Sequence, residues 1–310
     1  MDIFTMSTIE REGPTVDEDR GTIQDKTPRI TLADGNAIPQ VGLGVLRIDD
    51  DDTAPVVESA LEVGYRHIDT AAGYGNEQGV GKGLERSGFN TGERRASLWL
   101  TTKLKDSEQG YDTALKAFDR QIGLLRTDYV DMYMIHWPTP FNWRSADTWR
   151  AFVRLRDERR VRTLGVCNFL PEDLDRLYRQ TGEYPAVDQI ELHPTWQQHE
   201  VTQYCTEHGI AVQAYSPLAR GADFHAGGGL LAEIARNHSR EGRTVSEAQV
   251  ILRWHIENGT IIIPKSVHRE RQIENLNLFD FELSASEHDA ITELDGPTRA
   301  GHDPRTFSYS

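Results

Sequence analysis

Four side chains that can donate, accept or stabilise a proton stand at separate points of the chain, each at or soon after the end of an apolar run. They are Asp69 at the end of HID, Tyr74 in the segment DTAAGYGNE, Lys103 at the end of LWLTTK and His136 at the end of VDMYMIH. A free Tyr phenol has a pKa of about 10, and a nearby ammonium lowers that pKa because it favours the phenolate. We expect Lys103 to act in this way on Tyr74, with Asp69 as the counter-charge that a partly dry ammonium needs.

His136 adds a hydrogen-bond donor for a substrate oxygen. Together the four side chains predict a site that donates a proton and stabilises an oxyanion but contains no nucleophile. Such a site suits the reduction of a carbonyl group, provided that another molecule supplies a hydride.

Eight short apolar runs alternate with amphipathic stretches along the chain. The predicted strands cover residues 40–45, 65–69, 98–103, 130–136, 162–168, 186–190, 210–215 and 260–264, and the predicted helices cover 53–63, 76–87, 108–123, 146–160, 171–180, 199–208 and 246–257. Strands that alternate with helices pair in parallel through right-handed crossovers. We therefore expect an α/β fold, a (β/α)₈ barrel that forms a single domain over residues 28–310.

A doubly wound open sheet is the alternative fold, but it carries a glycine fingerprint after its first strand. The segment VGLGVLR has Gly42 and Gly44, and then Arg47 where the third glycine would stand. The barrel is therefore favoured. Before it, RITLADGNAIP predicts a β-hairpin around Asp34-Gly35 that closes the bottom of the barrel.

In a barrel the carboxyl ends of all strands meet at one face. The polar side chains that end or follow the predicted strands are Asp69, Lys103, His136, Asn168, Gln189, Tyr215, Ser216, Lys265 and Ser266. They come from seven separate segments, so the fold predicts that they converge on one mouth.

The composition excludes several other classes of function. The net charge is −15, and six of the 34 basic side chains are Lys while 28 are Arg. A uniformly acidic surface argues against a nucleic-acid partner, which needs a basic face. It also suits a host with high internal salt, because salt screens the self-repulsion.

Other sequence features predict location, assembly and the absence of a metal. No apolar run approaches the ~18 residues of a membrane span, and we see no secretory signal, so we expect a cytoplasmic protein. Separately, we expect a monomer whose partner is a small-molecule carbonyl substrate. Residues 1–27 are polar and without periodicity, which predicts a disordered acidic extension. The acidic and histidine residues around 191–208 match no zinc signature, so no metal is expected.

Seven segments, in this order along the chain, resemble the motifs of the aldo-keto reductase superfamily. They are DTAAGYGNE (69–77), LTTKL (100–104), YMIHWP (133–138), VCNF (166–169), QIELHP (189–194), AYSPL (214–218) and IIIPKSVHRERQIEN (261–275). The resemblance spans residues 28 to 307 and is closest to the prokaryotic 2,5-diketogluconate-reductase-like branch. It implies a (β/α)₈ barrel that uses NADPH and no metal.

The resemblance also implies a role for each site residue. Tyr74 would be the general acid, Lys103 and Asp69 would tune it, and His136 would orient the substrate carbonyl. The implied cofactor-binding residues are Asn168 and Gln189 at the nicotinamide carboxamide, Tyr215 on the nicotinamide ring, Ser216 and Leu218 along the pyrophosphate, Lys265, Ser266, Val267 and Arg271 around the 2′-phosphate, and Glu274 and Asn275 at the adenine. Trp137 and Leu46 would line the substrate pocket.

Three positions depart from the family pattern. Leu46 stands where the family often has an aromatic residue, which predicts a wider pocket. Cys167 replaces a common Ser before Asn168, which removes one strong hydroxyl contact to the cofactor. His268 stands where the cofactor segment often carries Thr.

The leading hypothesis is therefore an NADPH-dependent carbonyl reductase, an oxidoreductase acting on CH–OH groups. The alternative is a nicotinamide-cofactor-binding regulatory or sensor subunit with slow turnover. The sequence leaves the substrate open between methylglyoxal-like aldehydes, sugar keto-acids and aromatic aldehydes. That choice depends on the loops 46–52, 139–147 and 220–230 and on the chain after residue 295.

Overall fold

The computed structural model describes residues 27–308. Apart from Thr27, the predicted acidic extension of residues 1–27 lies outside the described residues.

A short antiparallel hairpin precedes the main sheet. Its strands are β1 (Arg29–Thr31) and β2 (Ala37–Pro39), with Ile30 opposite Ile38. Gly35 turns the chain between them with a φ of +84°, which a residue without Cβ adopts without strain. Ile38 packs with Trp99 and Val187, the first residues of two barrel strands. The hairpin therefore covers the amino ends of the strands, as predicted.

Eight parallel strands follow and form one sheet in chain order. They are β3 (Leu43–Gly44), β4 (His67–Asp69), β5 (Trp99–Leu104), β6 (Val130–Ile135), β7 (Val161–Cys167), β8 (Val187–Glu191), β9 (Ala211–Tyr215) and β10 (Ile261–Ile262). A parallel bridge between Val41 and Ile262 joins the first strand to the last. The amide of Gly42 donates to the carbonyl of Ile262 at 2.8 Å and thereby closes the sheet.

Helices connect the strands, and in the described part of the chain two more helices come after the last strand of the barrel. The α-helices are α1 (Asp50–Val63), α2 (Glu77–Arg86), α3 (Gly92–Ser97), α4 (Tyr111–Leu125), α5 (Ser145–Asp157), α6 (Pro171–Thr181), α7 (His199–Glu207), α8 (Leu230–His238), α9 (Glu247–Glu257), α10 (Arg269–Leu276) and α11 (Ala285–Thr292). All seven predicted helices are present. The helices α3, α8, α10 and α11 lie outside those seven ranges.

Local sequence explains where individual helices begin and end. α6 starts at Pro171, whose missing N–H is not needed in a first turn, and ends before Gly182 at a φ of +78°. Leu174 and Leu177 are fully buried on the face that meets the sheet. α9 begins with a capping box in which Ser246 and Gln249 satisfy each other's backbone N–H groups.

In the described range, none of the helices is both long enough and apolar enough to cross a membrane.

Candidate active site

A buried ion pair lies where β4 and β5 end. Lys103 Nζ donates to Asp69 Oδ1 at 2.5 Å and to the Thr70 carbonyl at 3.1 Å. Its third contact is the Tyr74 hydroxyl, at 3.2 Å. Lys103 and Asp69 are 0% and 1% exposed, so the pair is shielded from water. The three side chains meet as the sequence predicts.

The pKa of Tyr74 differs from the expectation. Burial raises it above its usual value, and the opposing charge of Lys103 does not overcome that effect. The sequence suggested a lowered pKa because it shows the nearby ammonium but not the extent to which the phenol is buried. Tyr74 is therefore protonated at neutral pH and has a proton to give.

His136 lies beside Tyr74 at the mouth. The two rings are edge-to-face, with centroids 5.6 Å apart. Burial and the charge of Lys103 lower the pKa of His136 well below its usual value. The imidazole is therefore neutral at physiological pH and has one N–H to donate.

A backbone turn and a buried side chain hold the phenol in place. Tyr74 ends a 3₁₀ turn, Ala72–Tyr74, and Gly75 leaves it with a φ of +72°. Asn76, which is fully buried, then donates to the carbonyls of Val45 and Ile48 at 2.8 and 3.0 Å. The loop that carries Tyr74 is thus tied to the loop after β3.

Side-chain amides surround the inner side of this centre. Gln189 Nε2 donates to Asp69 Oδ2 at 2.8 Å, and Gln213 lies 3.5 Å from the same oxygen. Asn168 has a φ of +64°, and its amide donates to the carbonyl of His136 at 3.0 Å. Tyr215 donates to Asn168 Oδ1 at 2.8 Å. The predicted carboxamide-binding residues are therefore fixed by buried hydrogen bonds.

A cleft of about 810 Å³ opens above these residues. Its walls include Leu46, Asp69, Tyr74, His136, Trp137, Asn168, Gln189, Tyr215, Ser216, Leu218, Lys265, Ser266, Val267, Arg271, Glu274 and Asn275. These are all the residues that the sequence assigns to the site except Lys103. Lys103 lies beneath the floor and reaches the cleft through Tyr74.

One end of the cleft is cationic. Lys265 and Arg271 both line it, and across residues 27–308 neither has a carboxylate within 4.0 Å. In a chain of net charge −15, two such cations beside the hydroxyl of Ser266 suit a phosphate dianion. Glu274 lies nearby and accepts a hydrogen bond from Ser246. The donor set therefore fits the 2′-phosphate of NADPH.

The other end of the cleft is aromatic. Phe307 contacts the Trp137 indole, with ring centroids 4.6 Å apart. His302 stacks on Phe307 at 4.0 Å, with the ring planes 4° apart. Both tail residues come from the chain after residue 295, where the sequence places a substrate-determining loop without identifying its side chains.

Other site residues could not be found from the sequence. Gln213 lies 3.5 Å from Asp69 Oδ2 and belongs to none of the recognised motifs. Thr70 belongs to DTAAGYGNE, but it contacts Lys103 through its backbone carbonyl, which a side-chain motif does not predict. Arg220, Gly221 and Phe224 line the cleft from a loop of irregular backbone. Their only signal is the position of that loop after a strand, which predicts proximity to the mouth but no particular contact.

Comparisons with known proteins agree with this geometry. The model of the aldo/keto reductase family matches residues 39–296. An aldo-keto reductase from Mycolicibacterium smegmatis is 48% identical over 284 residues, which cover 92% of this chain and 99% of that protein. A methylglyoxal reductase DkgA from Yersinia pestis is 41% identical and covers 90% of this chain and 97% of its own length.

Solved structures are similar over the same span. A variant of Gox0644 in complex with NADPH is 42% identical, with a TM-score of 0.84, and covers 91% of this chain and 99% of that chain. A structure provisionally assigned as 2,5-diketo-D-gluconic acid reductase B is 32% identical, with a TM-score of 0.79 over 88% of this chain and 93% of that one.

These comparisons confirm the predicted family, the (β/α)₈ fold and the NADP(H) cofactor. The chain belongs to the aldo/keto reductase family and is an NADP-dependent oxidoreductase.

Proposed function

We propose that this chain reduces an aldehyde or ketone to the alcohol, with Tyr74 as the general acid. One observation carries the assignment. The Tyr74 hydroxyl borders the cleft and lies 3.2 Å from a lysine ammonium that is itself held by Asp69. A protonated phenol beside a fixed positive charge can donate a proton and be stabilised as the phenolate that remains.

Bound NADPH would supply the hydride that the substrate carbon accepts. Asn168 and Gln189 would hold its carboxamide, and Tyr215 would lie against the nicotinamide ring. Ser216 and Leu218 would follow the pyrophosphate. The 2′-phosphate would be held by Lys265, Ser266 and Arg271, next to Val267, and the adenine would be held by Glu274 and Asn275. This set is supported by Lys265 and Arg271, which have no carboxylate within 4.0 Å among residues 27–308, and by the side-chain amides around the inner side of the centre.

Both Tyr74 and His136 would act on the substrate oxygen. The neutral His136 donates one N–H to that oxygen and so orients the carbonyl. As the carbon gains its hydride, negative charge develops on the oxygen, and the Tyr74 proton passes to it. Lys103 stabilises the resulting phenolate, and the pair with Asp69 keeps the ammonium in place.

The substrate would be a small carbonyl compound that packs against Trp137 and the aromatic residues of the tail. Because the Yersinia pestis relative is named a methylglyoxal reductase, methylglyoxal is the first compound to test. Steady-state oxidation of NADPH with methylglyoxal, a sugar keto-acid and benzaldehyde would test the proposal. A single slow turnover with every carbonyl would instead indicate the cofactor-binding regulatory subunit.

Substitution of Tyr74 tests the role of the general acid. Tyr74→Phe removes the donated proton but keeps the ring, so we expect kcat to fall by about 10²–10⁴-fold while the Kd for NADPH changes little. Stopped-flow and fluorescence titration would measure the two quantities. Tyr178→Phe, at a half-exposed tyrosine of α6, is the matched control. Full turnover by the Tyr74 variant would refute the assignment.

A further inference from the structure

A histidine outside the reacting centre lies between two carboxylates. His193 follows β8 and is 0% exposed. Its Nε2 is 3.2 Å from Glu191 Oε1, and its Nδ1 is 3.2 Å from Asp223 Oδ2. Each ring nitrogen therefore faces a carboxylate, which when ionised can only accept a hydrogen bond.

With both carboxylates ionised, this geometry favours a doubly protonated ring. A neutral imidazole has one N–H and could satisfy only one of the two carboxylates. Burial acts to lower the pKa of His193, but the hydrogen bonds and charges of Asp223 and Glu191 raise it to about 9. The same contacts hold the pKa values of Glu191 and Asp223 below their usual values, against the opposing effect of burial.

The other ionisable groups around this cluster do not compete for the proton at neutral pH. His255 of α9 lies close enough to feel the charge of His193, and burial lowers its pKa to about 4. Tyr215 of β9 lies near Glu191, and burial raises its pKa well above the usual value. The guanidinium of Arg299 acts in the opposite direction on the pKa of Tyr215 but does not overcome burial.

Asp223 belongs to the loop Ala219–Gly229, which borders the cleft through Arg220, Gly221 and Phe224. Its second oxygen accepts the Thr195 hydroxyl at 2.6 Å. Asp223 is 1% exposed, so this attachment is buried. The loop is thus tied to the core of the barrel at one side chain.

On the other side of His193, Glu191 contacts the segment at Ala300–Gly301. Its two oxygens accept the backbone N–H groups of Ala300 and Gly301 at 2.5 and 2.8 Å. Gly301 and His302 line the cleft near Trp137. A Cβ at Gly301 would lie 2.6 Å from Glu191 Oε2, so the segment approaches the carboxylate more closely than a larger residue would allow.

We propose that His193 is a positioning residue, and that its imidazolium couples the loop Ala219–Gly229 to the segment at Ala300–Gly301. The loop borders the part of the cleft assigned to the cofactor, and the segment borders the part assigned to the substrate. Ordering of one therefore favours ordering of the other, and the coupling is reciprocal. The functional consequence rests on the proposed function, whereas the coupling itself does not.

Hydrogen exchange in the cofactor-free protein tests the coupling directly. The amides of Ala300 and Gly301 donate to Glu191, so their exchange rates report the attachment of the segment. We call the contacts Asp223–His193–Glu191 the relay. Asp223→Asn weakens the contact with His193 and changes neither the two amides nor Glu191. We expect it to raise their exchange by about 5- to 150-fold, the range of typical coupling between two sites. His193→Gln, which cannot donate to both carboxylates, should do the same and also raise exchange across Ala219–Gly229.

The control is His238→Gln, which removes another histidine–carboxylate pair, His238 with Glu287 at 3.0 Å, that does not line the cleft. It should leave both segments unchanged. If Ala300 and Gly301 exchange at the wild-type rate in folded Asp223→Asn, the relay does not exist. Should His193→Gln fail to fold, the isosteric Asp223→Asn still decides the question.

A second measurement addresses function. Stopped-flow fluorescence of NADP⁺ release from His193→Gln should show faster release together with a higher KM for the carbonyl, while the single-turnover rate at saturation stays near wild type. A normal release rate would overturn the role in cofactor retention. If the wild-type protein reduces no carbonyl, the proposed function fails, but the exchange experiment still decides on the relay.

Discussion

Asp188 is a buried acid on β8 that the proposed mechanism does not use. It is 0% exposed, and neither carboxyl oxygen has a well-aligned hydrogen-bond donor among the described residues. Burial raises its pKa well above the usual value, and the backbone N–H of Phe169 offsets this only in part. The folded protein therefore favours the protonated acid.

The sign of the pH dependence follows from this raised pKa. The contribution of Asp188 to stability is fully present below its unfolded pKa of about 4 and is lost as the pH rises towards the folded value. Asp188→Asn keeps the shape without the charge, so we predict a higher free energy of unfolding at pH 7 and little change at pH 4. Urea unfolding from pH 4 to pH 8 would measure both.

Asp289→Asn on α11, at an exposed position, serves as the comparison and should show no such trend. If Asp188→Asn changes the free energy of unfolding by the same amount at pH 7 and at pH 4, the pKa of Asp188 is not raised in the folded chain.

Among single residues, type and position at a strand end were enough to predict which side chains lie close together at the mouth. Asp69, Lys103 and His136 each end a recognisable apolar run, and barrel geometry then brings them together. The direction of the pKa shift of Tyr74 was not predictable, because it depends on how far the phenol is buried. Gln213 was missed for a related reason, since a glutamine inside a strand gives no sign of which side chain it will meet.

At the scale of elements, the segment between β10 and the third residue of α10 forms the cationic end of the cleft. Arg271 lies on α10 and lines the cleft, whereas Arg269, two residues earlier, pairs with Glu62 at 3.0 Å outside it. The two arginines share one helix but face different surroundings. They form a matched pair for testing cofactor recognition.

Arg271→Ala should weaken binding of NADPH by about 10- to 150-fold, the equivalent of the 1.5–3 kcal/mol of a hydrogen bond to a charged group. Binding of NADH, which lacks the 2′-phosphate, should change little. Fluorescence titration with both cofactors would give the two Kd values. Arg269→Ala should leave both unchanged, and an equal loss for NADH and NADPH in Arg271→Ala would argue against phosphate recognition.

The strands and the longer helices were predictable because their apolar residues recur with a clear period. The short α3 was missed because GERRAS has too few apolar residues to show one. The loop Ala219–Gly229 is irregular, with Arg220 and Gly221 at positive φ. Its path depends on the buried contact of Asp223 with His193 and Thr195, which no local pattern reveals.

For the whole molecule, the acidic surface predicts a response to salt. Asp and Glu number 49 against 34 Lys and Arg, so many carboxylates have no cationic partner and repel one another. The screening length falls from about 10 Å at 0.1 M to about 3 Å at 1 M ionic strength. We expect the free energy of unfolding to rise between 0.1 M and 2 M KCl.

Urea unfolding at each KCl concentration would measure this change. KCl is preferred to sulfate because sulfate strengthens apolar burial in any protein. A free energy of unfolding that stayed constant or fell with KCl would contradict the interpretation of the surface as adapted to high salt.

The bridge between Val41 and Ile262 also bears on how the protein is made. During synthesis the segment at Val41, the first of the barrel, cannot pair with Ile262 until more than two hundred further residues have been made. Lys265 and Arg271 are made only after Ile262. A chain truncated or stalled before this point would lack both the last strand of the barrel, β10, and the two cations proposed to bind phosphate. Cofactor retention would then report that translation had reached the final segment, so immobilised NADP⁺ should separate complete molecules from prematurely terminated ones.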